Sequence, residues 1–406
     1  MAQSGIHQRH YLKRTDQLMR RFTFLMWPIV VGILAAVALL NLFPDVLGPS
    51  VTTVSVIESR TPSQPSLPTP SGMGPVSYAD AVTKAAPAVV NIYTRTLVPQ
   101  AEHPLYSDPF FRKFFDAENP PERARIESSL GSGVILTAEG YIVTNNHVIE
   151  GADSIVVALT DGREAVADVV GTDPDTDLAV LKIKLDSLPS ITLNNSSQLS
   201  VGDVVLAIGN PFGVGQTVTM GIISATQRNS LGLSTYEDFI QTDAAINPGN
   251  SGGALVDAFG RLIGINTAIF SKSGGSQGIG FAIPSKLALS VMQDLIKHGR
   301  VIRGWLGIEI QPMTPQLAES FGMQNMQGLL VAGLYRNSPA HRAGLQPGDI
   351  IITINGAPIT NTQLSKNQIA RYMPGDQVQV DLLRNGHRLT LNVNIGERPP
   401  TSLPNG

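Results

Sequence analysis

Ser251 stands in the string Gly249-Asn250-Ser251-Gly252-Gly253. A serine hydroxyl is a weak nucleophile until a base takes its proton and amide donors face the oxyanion formed on the substrate. Flanking glycines let the backbone turn tightly and leave the hydroxyl uncrowded. Gly249-x-Ser251-x-Gly253 fits two orders of catalytic groups. In a nucleophile elbow the acid and then the histidine follow the serine; in the other order histidine and aspartate precede it. Beyond the N-terminal apolar segment, His103 and His147 lie upstream, and His298, His341 and His387 downstream. An elbow also needs a strand–turn–helix in a βαβ chain, whereas short strands and glycine turns surround Ser251. The order histidine, aspartate, serine is the better supported.

His147 follows the apolar stretch Tyr141 to Thr144, a strand pattern that can hold a ring rigidly at a cleft. His103 sits in a Pro-flanked loop that would position it less well. Asp177 directly precedes Leu178-Ala-Val-Leu-Lys-Ile183, so its carboxylate is fixed at a strand entrance. Asp173 and Asp175, further out in the same turn, read as solvated turn formers. An aspartate accepting Nδ1–H keeps His147 in the tautomer whose Nε2 can take the Ser251 proton. His147, Asp177 and Ser251 are the candidate catalytic residues.

The elements that must position them are mostly strands. Strand patterns run over residues 88–93, 133–136, 141–144, 154–159, 165–170, 178–183, 204–208, 221–225, 261–266 and 279–283, separated by Gly, Asn and Asp turns. Many short strands at this spacing predict an all-β barrel or sandwich pair. Residues 79–86 read as a short helix, and Leu287 to His298 has helical periodicity with Gly299 as its cap. A domain boundary follows. From Gly304 to Ile395 a smaller module combines strands at 329–331, 349–354, 378–383 and 389–393 with helices at 338–343 and 363–372. Asn355-Gly356 and Asn385-Gly386 are hairpin turn signals within it.

Arg9, Lys13, Arg14, Arg20 and Arg21 precede an apolar run from Phe22 to Phe43, long enough at ~20 residues to span a bilayer. No positive charge appears between it and Arg60, so the positive-inside rule leaves the N-terminus cytoplasmic. A cleaved signal peptide is the alternative, but no clear small-x-small site follows. The expected organisation is a basic tail (1–21), a transmembrane anchor (22–43), a Ser/Pro/Thr-rich linker (44–77), a catalytic domain (78–300), the smaller module (304–397) and a tail (398–406). Residues 98–129, with Phe110, Phe111, Phe114 and Phe115, read as a long surface loop or an interaction site.

The formal charge of −3 gives no polyanion signal, and the 406 residues contain no cysteine. Disulfides and thiolate metal sites are thereby excluded. There is neither a Walker A loop nor a His-Glu-x-x-His motif. No metal, cofactor or nucleic acid is expected.

Thr144-Asn-Asn-His-Val148, Asp177 to Ile183 and Gly249-Asn-Ser-Gly-Gly-Ala-Leu255 resemble the three catalytic blocks of the HtrA family of trypsin-like serine proteases. Gly209-Asn-Pro-Phe-Gly213 and Gly278 to Pro284 extend the likeness. One anchor and one C-terminal module resemble the DegS- and AlgW-type branch. The resemblance implies a mainly β fold: a trypsin-like double β-barrel protease domain, then a small α+β PDZ domain, with one N-terminal transmembrane helix. It implies a homotrimer, an oxyanion hole from the amides of Gly249 and Ser251, and an S1 pocket floored by Ala244, Ala245 and Ile246. The loop Trp305-Leu306-Gly307-Ile308 would bind a peptide's terminal carboxylate while the peptide adds as a strand. Arg228, in the loop 227–238, would link the PDZ side to the active site. The function implied is a periplasmic endopeptidase of the envelope-stress response, held on the inner membrane. C-terminal peptides of misassembled envelope proteins would gate it, and an anti-sigma factor would be its substrate. General quality control of unfolded proteins is the alternative.

Overall fold

The computed structural model describes residues 77–99, 124–194, 198–210, 215–269, 276–321, 328–359 and 361–399, all within one compact unit. The expected cytoplasmic tail, anchor, nearly all of the linker, the Phe-rich segment and the last residues lie outside them. Among the described residues no helix is long and apolar enough to cross a membrane.

After helix α1 (Ala79–Ala85), the first barrel is built from β1 (Val89–Pro99), β2 (Ala124–Ile135), β3 (Tyr141–Thr144), β4 (Ser154–Ala158), β5 (Glu164–Val166), β6 (Asp168–Asp173) and β7 (Leu178–Lys182). Their sheet order is β5-β4-β1-β2-β3-β7-β6. The two end strands are halves of one chain segment bent at Ala167, whose amide donates to Ile155 O at 3.0 Å. The sheet therefore closes on itself through the backbone. The β1–β2 ladder runs from Val89↔Val134 out to Pro99↔Ala124, so both ends of the expected 98–129 loop are paired strand. Ladder hydrogen bonds do not need apolar side chains, and this polar-rich stretch left no hydropathy signal.

The second barrel closes fully, from β8 (Val204–Gly209), β9 (Thr217–Arg228), β10 (Phe239–Thr242), β11 (Ala254–Asp257), β12 (Leu262–Ile269) and β13 (Gly280–Pro284). β10 and β11 flank the serine segment and were absent from the sequence-based series; each has only four residues. Without them the barrel would fall into two separate hairpins, β8–β9 and β12–β13. Its core includes Ile223, Ile240, Ala244, Ile246, Leu255 and Ile263, each at most 2% exposed. Truncating one such Leu or Ile to Ala costs about 2–5 kcal/mol. Helix α2 (Ser285–His298) ends at Gly299, with φ 69° and its amide on Leu295 O at 2.9 Å.

The C-terminal module pairs β14 (Gly304–Trp305) with β15 (Gly396–Glu397). Its larger sheet contains β16 (Ile308–Pro312), β17 (Leu329–Leu334), β18 (Ile350–Ile354), β19 (Ala357–Pro358), β20 (Gln377–Arg384) and β21 (His387–Asn394). Asn355 and Asn385, at φ 48° and 51°, each precede a positive-φ glycine, as two-residue hairpin turns require. Helix α3 (Thr362–Ala370) is capped by Asn361, whose side chain accepts from the amides of Gln363 and Leu364.

Candidate active site

The catalytic candidates meet where the two barrels face each other. β3 delivers the chain to a short helical turn, Asn146–Ile149, that carries His147. Asp177 adopts φ 57° at the entrance to β7. Its main-chain oxygen accepts from Asn146 N at 3.1 Å and Asn145 Nδ2 at 2.9 Å, tying the two segments together. Its carboxylate then accepts three hydrogen bonds: His147 N at 3.0 Å, His147 Nδ1 at 2.7 Å and Thr267 Oγ1 at 2.8 Å. A carboxylate at Nδ1 makes that nitrogen the donor and leaves the Nε2 lone pair facing away from Asp177.

Ser251 Oγ donates to the main-chain oxygen of Thr267 at 3.1 Å. Among the described residues no hydrogen bond joins it to His147. The structure thus pairs His147 with Asp177 directly and brings Ser251 to the same place through Thr267. Thr267 uses its hydroxyl for the aspartate and its carbonyl for the serine. Nothing in the sequence marks it, since a threonine in strand β12 carries no motif.

The serine turn is fixed from the opposite barrel. Ser132 N donates to Ser251 O at 2.9 Å, Ser132 Oγ donates to Gly249 O at 2.7 Å, and Asn210 N donates to Ser132 Oγ at 3.0 Å. Asn250 O accepts from Gly253 N at 2.9 Å, which turns the amide of Ser251 the other way across a trans peptide. Gly249 has φ 98°. The amides of Gly249 and Ser251 have no acceptor among the described residues and remain available as donors. At Gly252, φ 81°, a Cβ would lie 2.0 Å from Ser132 O, so only glycine lets the barrels approach this closely.

The proposed S1 floor is built differently at its two positions. Ala245 is half-buried and its oxygen accepts from Thr219 Oγ1 at 2.8 Å. Ile246 is 1% exposed in the barrel core, and a Cβ on Gly280 would come within 2.8 Å of its Cδ1. The nearby Asp243 accepts from Ile222 N at 2.7 Å, which turns that carboxylate onto β9.

Asp173 and Asp175 are not solvated turn formers. Asp173 is 4% exposed and takes two hydrogen bonds from the guanidinium of Arg303, one at 2.9 Å, as well as Thr176 Oγ1. Asp175 accepts from Arg398 Nη1 at 2.9 Å, and the same nitrogen reaches Tyr236 OH at 2.8 Å. Arg303 opens the C-terminal module and Arg398 closes it, and both lie over the ring of Tyr236. Sequence spacing did not show these partners because they lie more than a hundred residues away. Burial opposes the charge of Arg303, but the hydrogen bond and charge of Asp173 outweigh it and hold the guanidinium above its ordinary value. The turn ending in Asp177 is therefore clamped to the C-terminal module.

That module also rests on the 229–238 loop. Gln363 Nε2 donates to Thr235 O at 2.7 Å, Asn367 Nδ2 to Glu237 O at 2.7 Å, and Arg371 pairs with Asp238 at 3.0 Å. Burial raises the Asp238 carboxyl above its ordinary value, against the pull of Arg371. Within the loop, Glu237 accepts from the amides of Leu231 and Leu233, both at 2.7 Å. The loop is thus held both from within and by the C-terminal module. Arg228 Nε donates to Gln241 Oε1 at 2.8 Å, while Asn229, Thr235, Glu237 and Asp238 meet the module.

Gly304 to Ile308 and Ile310 line a groove of about 270 Å³, together with Lys366 and Ile369 of α3 and with Thr235 and Tyr236 of the protease domain. Trp305 packs its ring 5.6 Å from that of Tyr335. Gly307 has φ 73°, and the amides of Leu306 and Gly307 have no acceptor among the described residues.

Residues 131–265 match the trypsin-like peptidase domain and residues 304–395 the PDZ domain. A probable periplasmic serine endoprotease DegP-like of Ectopseudomonas mendocina is 46% identical over 332 residues, 78% of this chain and 70% of that protein. The chain belongs to the HtrA family of trypsin-like serine endoproteases. A DegP-like protein of Halomonas elongata is 45% identical over 79% of this chain and 71% of its own length. Among solved structures, the HtrA-type protease AlgW with a decapeptide is 62% identical, with a TM-score of 0.69, over 80% of this chain and 100% of that one. AlgW with a tripeptide is 60% identical, with a TM-score of 0.68, over 80% of this chain and 98% of that one. This HtrA protease has a trypsin-like domain followed by a PDZ domain.

Proposed function

We propose that this HtrA protease is a peptide-gated endopeptidase of the periplasm. Ser251 is its nucleophile, His147 its general base and Asp177 the group that orients the ring. Proton transfer from Ser251 to Nε2 requires the hydroxyl to leave Thr267 O and donate to His147 instead. The serine then adds to the scissile carbonyl, the amides of Gly249 and Ser251 hold the oxyanion, and protonated His147 gives its proton to the leaving amine. Ala245 over the packed Ile246 leaves a shallow apolar S1 pocket suited to Val or Ala.

The observation that carries the gating is the clamp between the PDZ domain and the turn of Asp177, through Arg303–Asp173 and Arg398–Asp175. A ligand in the PDZ groove can act on the active site by favouring one arrangement of these contacts, or of those to the 229–238 loop, over another. The AlgW structures with a decapeptide and with a tripeptide support a peptide as that ligand. The likeness to that branch, with the sequence of residues 22–43, supports an inner-membrane anchor, a homotrimer, a role in envelope stress and an anti-sigma factor as substrate. The DegP-like relatives favour a second reading, general quality control of periplasmic proteins. The test is cleavage rate against concentration of a peptide ending in an aromatic residue, with a free and with an amidated C-terminus. A coupling of ~1–3 kcal/mol gives about 5–150-fold activation by the free form alone. Equal activation by both forms refutes the gate. Comparing cleavage products in membranes with wild-type protein and with Ser251→Ala separates one dominant substrate from many.

A further inference from the structure

We infer that the PDZ groove selects peptides with a carboxylate side chain two residues before the C-terminal residue, and that Lys366 reads it. The inference rests on the groove being a C-terminal peptide site. Its lining combines apolar side chains, Leu306, Ile308, Ile310, Ile351, Ile354 and Ile369, with Thr235 and Tyr236 from the protease domain. Two cations line it. Arg398 is already engaged with Asp175 and Tyr236. Lys366 has no hydrogen-bond or ion-pair partner among the described residues, although it is half-buried. A charge held against apolar surface gains more from a partner than one in open water.

Its position along the groove follows from helix α3. The backbone of Gly304, at the start of the carboxylate loop, lies against the end of that helix: a Cβ there would sit 2.4 Å from Ile369 O. Ile369 also lines the groove beside Trp305 to Ile308, and we place the last peptide residue against it. Lys366 comes three residues earlier, about 4.5 Å along the axis at ~1.5 Å per residue, and helical side chains lean further toward the N-terminus. A bound strand presents the same face every second residue, about 6.6 Å apart. The next side chain facing the helix is the third from the C-terminus, and its neighbour is Lys366.

The experiment uses fluorescein-labelled decapeptides ending in Glu-Ala-Phe, Gln-Ala-Phe or Lys-Ala-Phe, with free and amidated C-termini. Their binding to the full-length protein is followed by fluorescence anisotropy. The expected order for free peptides is Glu over Gln over Lys, with Glu about fivefold tighter than Gln and the gap shrinking as salt is added. Lys366→Glu should invert the order, and Lys366→Gln should flatten it while leaving the Gln-Ala-Phe peptide bound as in the wild type. Equal affinity for the three free peptides, or an order that survives in Lys366→Gln, overturns the role of Lys366 and leaves the peptide site standing. No advantage of free over amidated peptides overturns the peptide site itself, and this inference with it.

Discussion

Thr267→Val removes one hydroxyl from the centre of the proposed mechanism and keeps a β-branched side chain in strand β12. The hydroxyl donates to Asp177 Oδ2 at 2.8 Å, on the same oxygen that holds His147 Nδ1. Thr267 is 5% exposed, so no bulk water replaces the lost donor. A hydrogen bond to a charged group contributes about 1.5–3 kcal/mol. At ~1.36 kcal/mol per tenfold change in rate, kcat should fall about 10- to 150-fold. The main-chain oxygen of Thr267 still accepts from Ser251, and the side chain points at Asp177 and away from substrate, so KM should hardly change. The assay is steady-state cleavage of a peptide with Val at P1, with the melting temperature read alongside. Thr267→Ser keeps the hydroxyl and should restore most of kcat. Full kcat in Thr267→Val, or equal losses in the Val and Ser variants, refutes the argument.

How far the site was legible in the sequence depends on distance along the chain. His147 and Asp177 lie at the ends of β3 and β7, neighbours whose apolar patterns are plain, so their pairing could be read from strand ends. Ser251 was readable from its glycines. Thr267, Ser132 and Arg303 were not: each acts through a contact formed when the barrels and the PDZ domain meet, and none sits in a chemical motif. Asp173 and Asp175 were read as solvated because their local sequence is polar, and their partners are supplied by Arg303 and Arg398 instead. Strands β10 and β11 escaped because each is short and merges in sequence with the polar and glycine-rich segment that carries Ser251. The bend at Ala167 that closes the first barrel looked like one continuous strand.

Further outcomes follow from the same contacts. Arg303→Ala leaves the buried Asp173 without its guanidinium; breaking such a pair costs about 3–5 kcal/mol, and the variant should melt earlier and respond less to activating peptide. Gly252→Ala places a Cβ 2.0 Å from Ser132 O at φ 81°, and cleavage should be lost, while Gly151→Ala, which shares the positive φ (70°) but meets no atom within 4 Å, loses some stability and stays active. Burial raises the Asp294 carboxyl above its ordinary value of 3.8. Its contribution to stability is therefore greatest below that value and falls as pH rises through the folded pKa; Asp294→Asn should flatten this part of the melting-temperature profile, and parallel profiles would contradict it. A P1 library should show Val and Ala preferred over Lys and Arg, and a basic preference would exclude the apolar S1 pocket.

The most direct measurement is covalent labelling with a fluorophosphonate probe, with the modified residue located by mass spectrometry. The account predicts modification at Ser251, abolished in Ser251→Ala and slowed by orders of magnitude in His147→Ala and Asp177→Ala, each of which keeps its circular dichroism spectrum. Labelling at another serine, or an undiminished rate at Ser251 without His147, would contradict it.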